Sequence, residues 1–318
     1  MSSVTARLRD LPFDEVLGQC SNGHISLDYG AATMRLRTSI KEFARAFHVV
    51  YGNFRPNPQP EFADFHLHMR ERRRIRRWFL PSQSTFLIDG IQPFEPFAAA
   101  NALPQFEWGL NWSFAQRSNQ YVLLHAGALV RNGKAVIMAA PPGSGKSTLA
   151  AAMMLHGFRL LSDEFGVLCP ETGKLVPMLK PISLKNQSIE IIRQLSTHAV
   201  MGPVFKETHK GDVAHLAPNQ QSVDAVSDAA QPVLVLFPAY AAGKGLITER
   251  IPAEDAFARL AFNSFNYHLL GPIGFEAVAD VIESCPAYKL RYSDLDQAIE
   301  RIGELLDEAG ERRGADTA

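Results

Sequence analysis

Residues 134–148 read KAVIMAAPPGSGKST, and this stretch decides the fold because it joins an apolar strand pattern to a glycine-rich loop and a helix start. The run from Lys134 to Ala139 is typical of a buried strand, and residues 149–156 continue as a helix. Glycines let a backbone wrap around phosphate groups, and a helix amino terminus supplies aligned N–H groups and a favourable dipole. The stretch therefore predicts a phosphate-binding loop in a nucleotide-binding α/β core.

Individual positions of this loop fit phosphate chemistry. Gly143 and Gly145 occupy the positions where the backbone approaches phosphate most closely, whereas the first position of the motif is Ala140 instead of glycine. We expect Lys146 to contact the β- and γ-phosphates and the Ser147 hydroxyl to complete a Mg²⁺ shell. The simpler interpretation is a chance Gly-Ser-Gly-Lys turn, which the flanking strand and helix disfavour.

Two acidic residues follow the next strand pattern. Residues 157–162 read GFRLLS, and Asp163 and Glu164 come directly after them, 17 residues beyond Lys146. This spacing allows one helix and one return strand. A strand adjacent to the phosphate loop is then expected to place both acids beside a γ-phosphate, one for metal and one to accept a hydroxyl proton. The alternative is that the acids only cap a strand end or begin a turn. A Leu-Ser-Gly-Gly signature, which an ABC-type ATPase requires, is absent from the sequence.

A histidine lies inside the strand pattern that precedes the loop. Residues 121–130 read YVLLHAGALV and place His125 in an apolar run. Such a histidine is more often a core residue than an active-site residue, so its neighbours decide its interpretation.

Taken together, His125-Ala-Gly-Ala-Leu-Val, the loop 140–148 and Gly157 to Glu164 resemble, in order and spacing, the catalytic domain of HPr kinase/phosphorylase. The chain is most similar to the looser group of HPr-related kinases, over residues 121–305. The resemblance implies a domain related to phosphoenolpyruvate carboxykinase that uses ATP and Mg²⁺ to phosphorylate a serine. It places the active-site histidine at His125 and the catalytic and metal-binding acids at Asp163 and Glu164. It places the phosphate-binding residues within the loop, at Gly143, Ser144, Gly145, Lys146, Ser147 and Thr148.

The chain departs from the family pattern in two places. The family has two consecutive aspartates where this sequence has Asp163 and Glu164, and it has a second glycine-rich loop where this sequence reads LKPISLKN at residues 179–186. Lys180 and Lys185 in that segment could lie near the phosphates, where the family uses an arginine, or on the solvated surface. The identity of the acceptor, the reverse phosphorolysis and the oligomeric state, a homo-oligomer included, therefore stay open.

Composition excludes several classes. The chain has 318 residues, 46% of them hydrophobic and 20% charged, which is typical of a folded protein. No apolar run is long enough for a membrane span, and the first residues lack the apolar core of a secretion signal. Cys20, Cys169 and Cys285 are too widely spaced for metal ligation and favour a reducing, cytoplasmic setting. A net charge of -1 gives no support for nucleic-acid binding or a membrane partner.

The domain organisation is predicted from a change in the sequence pattern near residue 120. Short strand-like runs with a helical pattern precede it, and the strand, glycine-rich loop and helix order of a nucleotide-binding core follows it. We expect a smaller mixed N-terminal domain over residues 1–120 that recognises substrate, a P-loop kinase-like domain over residues 121–309 and a disordered tail over residues 310–318. Helix is expected at 39–50 and, with a break at Pro104, at 97–118. The arginine-rich run at residues 70–77 is either a docking patch or a solvated face. Residues 208–215 are expected to form a polar loop between helical segments that covers nucleotide or substrate, or an ordinary connection.

These observations favour an α/β protein, α+β overall, that transfers the γ-phosphoryl group of ATP to a serine hydroxyl of a protein or peptide. Asp163 is expected to accept the hydroxyl proton with help from His125, while Glu164 and Ser147 hold Mg²⁺ and Lys146 neutralises charge. Two alternatives stay open: a kinase for free serine or another small alcohol, which a closed pocket beside Asp163 would favour, and a non-catalytic module in which ATP controls docking.

Overall fold

The computed structural model describes residues 6–57, 62–72 and 82–316. Within these residues the chain is a mixed α/β structure with three sheets, so the predicted fold class is confirmed at this level. Short 3-10 helices lie at Leu8–Asp10 and Ala99–Asn101. None of the helices in the described part of the chain has the length and apolarity to span a bilayer.

The first sheet is built by the N-terminal part and has five strands. Its strands in spatial order are β1 (Ile25–Asp28), β2 (Thr33–Thr38), β3 (Phe65–Arg72), β4 (Gln83–Ile88) and β5 (Phe97–Ala98). Strands β2 and β3 pair in parallel and the other neighbours pair antiparallel. The helices of this part are α1 (Phe13–Asn22), α2 (Lys41–Val50) and α3 (Ala102–Arg117). The predicted helix over 39–50 is thus confirmed as α2.

Helix α3 runs through Pro104, so the predicted break at this residue is wrong. Pro104 is the third residue of the helix, where a backbone N–H has no intrahelical acceptor and proline costs little. Phe106, Leu110 and Phe114 on α3 are fully buried. They anchor the helix in the core.

The second sheet has eight strands and carries the glycine-rich loop at residues 140–145, which the sequence predicts to bind phosphate and which is called the phosphate loop below. Along its path lie β10 (Leu175–Val176), β9 (Phe165–Leu168), β6 (Val122–Arg131), β7 (Lys134–Ala139), β14 (Gln231–Tyr240), β16 (Ala287–Tyr292) and β15 (Ile247–Arg250), with β8 (Arg159–Ser162) paired to β6. Its helices are α4 (Lys146–Leu155), α7 (Ala253–Phe262), α8 (Tyr267–Leu270), α9 (Pro272–Ser284) and α10 (Leu295–Asp316). Strands β7, β14 and β16 are parallel.

This sheet is buried on both faces. Along β7, Val136 and Met138 point into one hydrophobic cluster, whereas Ala135 and Ile137 point into the other. The alternation follows from the two-residue period of a strand. Helices α4 and α10 cover the first face, and α7 and α9 cover the second. Such double burial explains why the strand patterns read as continuous apolar runs in the sequence.

One edge of β6 is shared by β8 and β9, with the two acidic residues at the break between them. Ala128 of β6 pairs with Ser162, and His125 pairs with Phe165. Strands β7 and β8 both run antiparallel to β6, so their carboxyl ends lie at the same edge of the sheet. Strand β6 lies between β7 and β8, so the strand of the acids does not pair with the strand that precedes the phosphate loop, and the acids approach the loop across β6.

The third sheet has three strands. Their spatial order is β11 (Ile182–Lys185), β13 (Gly211–Leu216) and β12 (Phe205–Thr208). In sequence, α5 (Gln187–Leu195) lies between β11 and β12, and α6 (Gln220–Asp224) follows β13. Residues 205–216 are therefore a β-hairpin, and the predicted loop between helical segments is wrong. Gly211, with φ of +83°, closes the turn of this hairpin.

Two further expectations concern the ends of segments. Helix α10 continues through Gly310 to Asp316, so helical backbone replaces the disorder predicted from residue 310. In the arginine-rich run, Arg70 and Arg72 lie exposed on β3, whereas residues 73–77 fall outside the described residues.

The passage from the first sheet to the second falls between the end of α3 at Arg117 and the start of β6 at Val122, near the predicted boundary. A single hydrophobic cluster nevertheless includes residues from both parts, for example Phe106 of α3 and Phe165 of β9. The two parts are packed together through this shared core.

Candidate active site

The phosphate loop lies between β7 and α4, as the sequence predicts. Gly143 and Gly145 have φ of +85° and +88°, and Lys146 is the first residue of α4. These left-handed conformations are accessible to glycine at little cost. The backbone N–H of Tyr240, at the end of β14, donates a hydrogen bond of 2.9 Å to the carbonyl of Ser144. The loop is therefore fastened to the neighbouring parallel strand.

Gly145 is also required for space. A Cβ at this position would lie 2.8 Å from the Tyr292 hydroxyl and 3.1 Å from the Tyr240 Cβ. Neither tyrosine was predicted from the sequence. They are the last residues of β14 and β16, and the carboxyl ends of strands parallel to β7 lie at the edge where the loop begins. Tyr240 and Tyr292 could have been predicted from this position at the ends of the two strands.

Lys146 and Asp163 are brought together from opposite sides of β6. The Lys146 ammonium donates a hydrogen bond of 2.7 Å to the backbone carbonyl of Asp163, and both residues are buried. The Ser162 hydroxyl accepts hydrogen bonds from the backbone N–H groups of Glu164 and Phe165, at 3.3 and 3.0 Å. This turn fixes the break between β8 and β9 and presents the acids to the phosphate loop.

The Asp163 carboxyl lies in an environment that is unfavourable for its charged form. Its Oδ1 is buried and has no hydrogen-bond partner among the described residues. Burial raises the pKa of Asp163, although the charge of Lys146 and the Ser147 hydroxyl act in the opposite direction. A buried carboxylate oxygen without a partner is costly, so it can be satisfied by a ligand hydroxyl or a cation.

Glu164 and His125 form a second contact at the same edge. His125 Nε2 lies 3.7 Å from Glu164 Oε1, and the His125 ring packs on Phe265 with 5.3 Å between ring centroids. Burial lowers the pKa of His125, and the positive charge of Lys146 lowers it further. For Glu164, burial acts to raise the pKa, but the positive charges around it, that of Lys146 first, outweigh burial and the pKa is lowered. His125 is thus neutral and Glu164 ionised at pH 7, and the partner of His125 is Glu164 instead of Asp163.

These residues fit a Mg²⁺ ion that also binds nucleotide phosphates. Within the described residues, no three His, Cys, Asp or Glu side chains form a cluster that could hold a metal by themselves. Mg²⁺, however, is usually held by one or two carboxylates together with substrate phosphates and water. Asp163, Glu164 and the Ser147 hydroxyl line one cleft and are the residues that could provide such ligands.

That narrow cleft has about 50 Å³ of free space, and its far side is formed by residues from distant parts of the chain. From α3 come Glu107, Trp108 and Asn111, and from the third sheet and its approach come Lys180, Lys185 and Lys210. Lys180 and Lys185 were candidates for the phosphate environment, and the structure places both on this cleft. Glu107 and Trp108 were not predicted, because they carry no recognisable motif and only the packing of α3 reveals them. Lys210 belongs to the segment 208–215, for which the sequence left open a role in covering nucleotide or substrate.

A larger cavity of about 480 Å³ lies on the other side of the phosphate loop. Its wall includes Ala140 and Pro141 of the loop, Phe237 and Pro238 of β14, and Asn263 after α7. The phosphate loop therefore lies between a largely apolar cavity at its start and the acidic, lysine-lined cleft at its end.

The sequence matches no model of a known protein family and no curated protein. The resemblance to HPr kinase/phosphorylase thus stays a prediction from the residues quoted above, and the geometry of the site carries the functional argument.

Proposed function

We propose that this protein is an ATP- and Mg²⁺-dependent kinase that transfers a γ-phosphoryl group to an alcohol hydroxyl. The observation that carries this proposal is the junction of Lys146 at the amino terminus of α4 with Asp163, whose buried Oδ1 lacks a partner among the described residues. A phosphate-binding loop that faced no carboxylate would support nucleotide binding alone. Here the loop faces a carboxylate with a raised pKa, which is the property of a proton acceptor.

The nucleotide is expected to span the phosphate loop. The cavity of about 480 Å³ has the size and apolar character of a small-molecule site, and we assign the nucleoside to it. The phosphates then follow the loop toward Lys146, where backbone N–H groups and the ammonium neutralise their charge. The γ-phosphate arrives in the narrow cleft beside Asp163.

The transfer step uses the residues in the following roles. The acceptor oxygen forms a bond to the γ-phosphorus while the bond from that phosphorus to the β,γ-bridging oxygen breaks, and ADP leaves. Asp163 accepts the proton of the acceptor hydroxyl. Mg²⁺ bound at Glu164 and Ser147 would supply neutralisation of phosphate charge. His125 orients Glu164 through their contact.

Two measurements test this proposal. Isothermal titration with ATP and Mg²⁺ should show that Lys146→Ala binds ATP at least about tenfold more weakly than the wild type, because a charge-assisted contact to phosphate is lost. Lys174→Ala, at an exposed turn between β9 and β10, is the matched control and should bind as the wild type does. Equal affinity of Lys146→Ala and wild type would exclude the assigned role of the loop.

The second measurement is transfer of label from γ-labelled ATP to serine peptides, free serine and other alcohols, followed by mass mapping of the product. Asp163→Asn should retain ATP binding and lose turnover by roughly 10²-fold or more, as expected for removal of a general base. Full turnover in Asp163→Asn would contradict the catalytic role. Transfer to peptides alone would support the predicted protein or peptide serine as acceptor, and ATP binding without any transfer would support the non-catalytic module.

A further inference from the structure

The narrow cleft carries lysine charges that are not all paired with its acids. Asp163 and Glu164 face Lys146 on the loop side of the cleft, and the proposed function assigns both acids to the reaction. On the far side stand three lysines, Lys180, Lys185 and Lys210. Their partners decide what the cleft can bind.

Lys180 is already neutralised. Its ammonium lies 2.9 Å from Glu107 Oε2, and both side chains are buried, at 8% and 2% exposure. Glu107 also accepts a hydrogen bond of 2.6 Å from the Tyr51 hydroxyl. This pair is therefore a fixed wall of the cleft and leaves no free charge for a ligand.

Lys185 and Lys210, by contrast, make no salt bridge with any described residue, and they converge on the same cleft. The Lys210 ammonium lies over the Trp108 ring, 5.1 Å from its centroid, and His209 packs on the same ring at 4.1 Å between centroids. Burial lowers the pKa of Lys210, and the charge of Lys185 lowers it further, although the charge of Glu164 acts in the opposite direction. The hairpin tip therefore holds the Lys210 ammonium against α3 and near the Lys185 ammonium. A bound anion would reduce the repulsion between these two positive charges.

Neutral polar groups in the cleft also lack partners. Asn111 Oδ1 and Ser183 Oγ are buried atoms with no hydrogen-bond partner among the described residues, as is Asp163 Oδ1. All three residues line the cleft, and Asp163 is itself 7% exposed. Native structures satisfy nearly all buried polar atoms, so three unpartnered groups around one space point to a polar ligand.

We propose that the acceptor is a low-molecular-weight alcohol that carries a carboxylate or phosphate, with this anion held by Lys185 and Lys210 and its hydroxyl directed at Asp163. This inference rests on the proposed function and names its substrate class. The cleft is narrow, with about 50 Å³ of free space, and this favours a small acceptor over a folded protein surface. Trp108 of α3 and Lys210 of the hairpin contact each other along this space.

The test measures binding with the phosphate loop filled, so that added anions cannot occupy it. Protein saturated with a non-hydrolysable ATP analogue and Mg²⁺ is titrated with glycerol 3-phosphate, D-glycerate and neutral glycerol. The variants are Lys185→Met and Lys210→Met, which keep a long apolar side chain, and Lys174→Met is the matched control. At least one anionic probe should bind at least tenfold more tightly than glycerol, and each cleft variant should lose about tenfold in affinity for it. The control should bind as the wild type does.

Binding of glycerol and both anions with equal strength would overturn the inference, and so would unchanged anion affinity in both cleft variants. A weakened affinity of those variants for the ATP analogue would also overturn it, because the lysines would then bind the nucleotide. Phosphorylation of an uncharged serine peptide at a rate that Lys210→Met leaves unchanged would also overturn it. Failure of the proposed function looks different, because the ATP analogue would then not bind to the wild type. Glycerol 3-phosphate and D-glycerate distinguish a phosphate from a carboxylate as the preferred anion.

Discussion

At the scale of single residues, His125 shows how a neighbour changes the meaning of a side chain. In the sequence it is a histidine within an apolar strand, which is typical of a core residue. In the structure its imidazole lies 3.7 Å from Glu164 and is only partly covered, with 25% of the side chain exposed. The spacing of the phosphate loop and the acids made the active-site interpretation preferable, and the contact with Glu164 supports it.

The pH dependence of turnover tests this role. Because the pKa of His125 is lowered from 6.5 by burial and by Lys146, the imidazole is neutral at pH 7 and gains its proton only at more acidic pH. Wild-type turnover should therefore fall as the pH drops below 6.5, in part because His125 gains a proton. In His125→Gln this part of the fall should be absent, and only the fall caused by protonation of the carboxylates should remain. His156→Gln, beside Asp296 at the end of α4, is the control and should keep the wild-type profile. A wild-type profile in His125→Gln together with a lowered melting temperature would return His125 to a structural role.

The residues that could be predicted are those that belong to one continuous segment of chain. Lys146 and Asp163 are 17 residues apart and are connected by one helix and one strand, so the sequence limits how far apart they can lie. Glu107, Trp108 and Lys210 reach the site from α3 and from a distant hairpin. Their placement depends on how whole elements pack, and a single sequence contains no local pattern that fixes this packing.

At the scale of elements, the phosphate loop depends on its two neighbouring strands. Gly145 needs both its left-handed backbone and the absence of a Cβ. Gly133, in the hairpin turn between β6 and β7, needs only the backbone conformation, because its φ is +75° and no described atom lies within 4 Å of the place that a Cβ would occupy. This pair separates the two requirements.

We expect Gly145→Ala and Gly133→Ala each to lower the free energy of unfolding by about 1–2 kcal/mol, because alanine is disfavoured at positive φ. Only Gly145→Ala should also weaken ATP binding, by tenfold or more, because Tyr292 and Tyr240 would force the loop to move. Urea denaturation and calorimetric titration measure the two effects. Equal ATP affinity in the two variants would show that the loop tolerates the extra methyl group.

The elements themselves were largely predictable, but their arrangement was not. The strand patterns at 122–131 and 134–139 and the helix after the phosphate loop follow from apolar periodicity and glycine placement. The order of the second sheet, with β6 between β7 and β8, depends on hydrogen bonds between distant segments. The hairpin over 205–216 was missed because its polar residues conceal the alternation that marks a strand.

At the scale of the whole molecule, the shared core contains a histidine that responds to acid. His215 on β13 is fully buried, and neither ring nitrogen has a hydrogen-bond partner among the described residues. Burial lowers its pKa from 6.5 to about 4, although the nearby Glu107 acts in the opposite direction. Between these values the unfolded chain binds a proton that the folded chain does not, so the free energy of unfolding rises with pH across this window. The contribution of His215 to stability is fully present above pH 6.5.

Acidification from pH 6.5 to 4 should therefore cost up to about 3 kcal/mol of stability through His215, at 1.36 kcal/mol for each pH unit. Urea denaturation at several pH values should show a shallower pH dependence for His215→Leu than for the wild type. His198→Gln is the control, because this histidine is exposed between α5 and β12 and should leave the slope unchanged. A slope that persists in His215→Leu would mean that other groups dominate acid unfolding.

The buried pair between Glu107 and Lys180 has a consequence for how such a chain can be recombined in evolution. Glu107 belongs to the N-terminal part, and Lys180 belongs to the part that carries the phosphate loop. If recombination replaced everything before about residue 120, the two partners of this salt bridge would come from different parent proteins. A lysine left buried without its carboxylate costs about 3–5 kcal/mol, a large share of the stability of an ordinary domain. A new N-terminal module is therefore tolerated only if it brings an acid to the position of Glu107, and the two halves are expected to be transmitted as one unit.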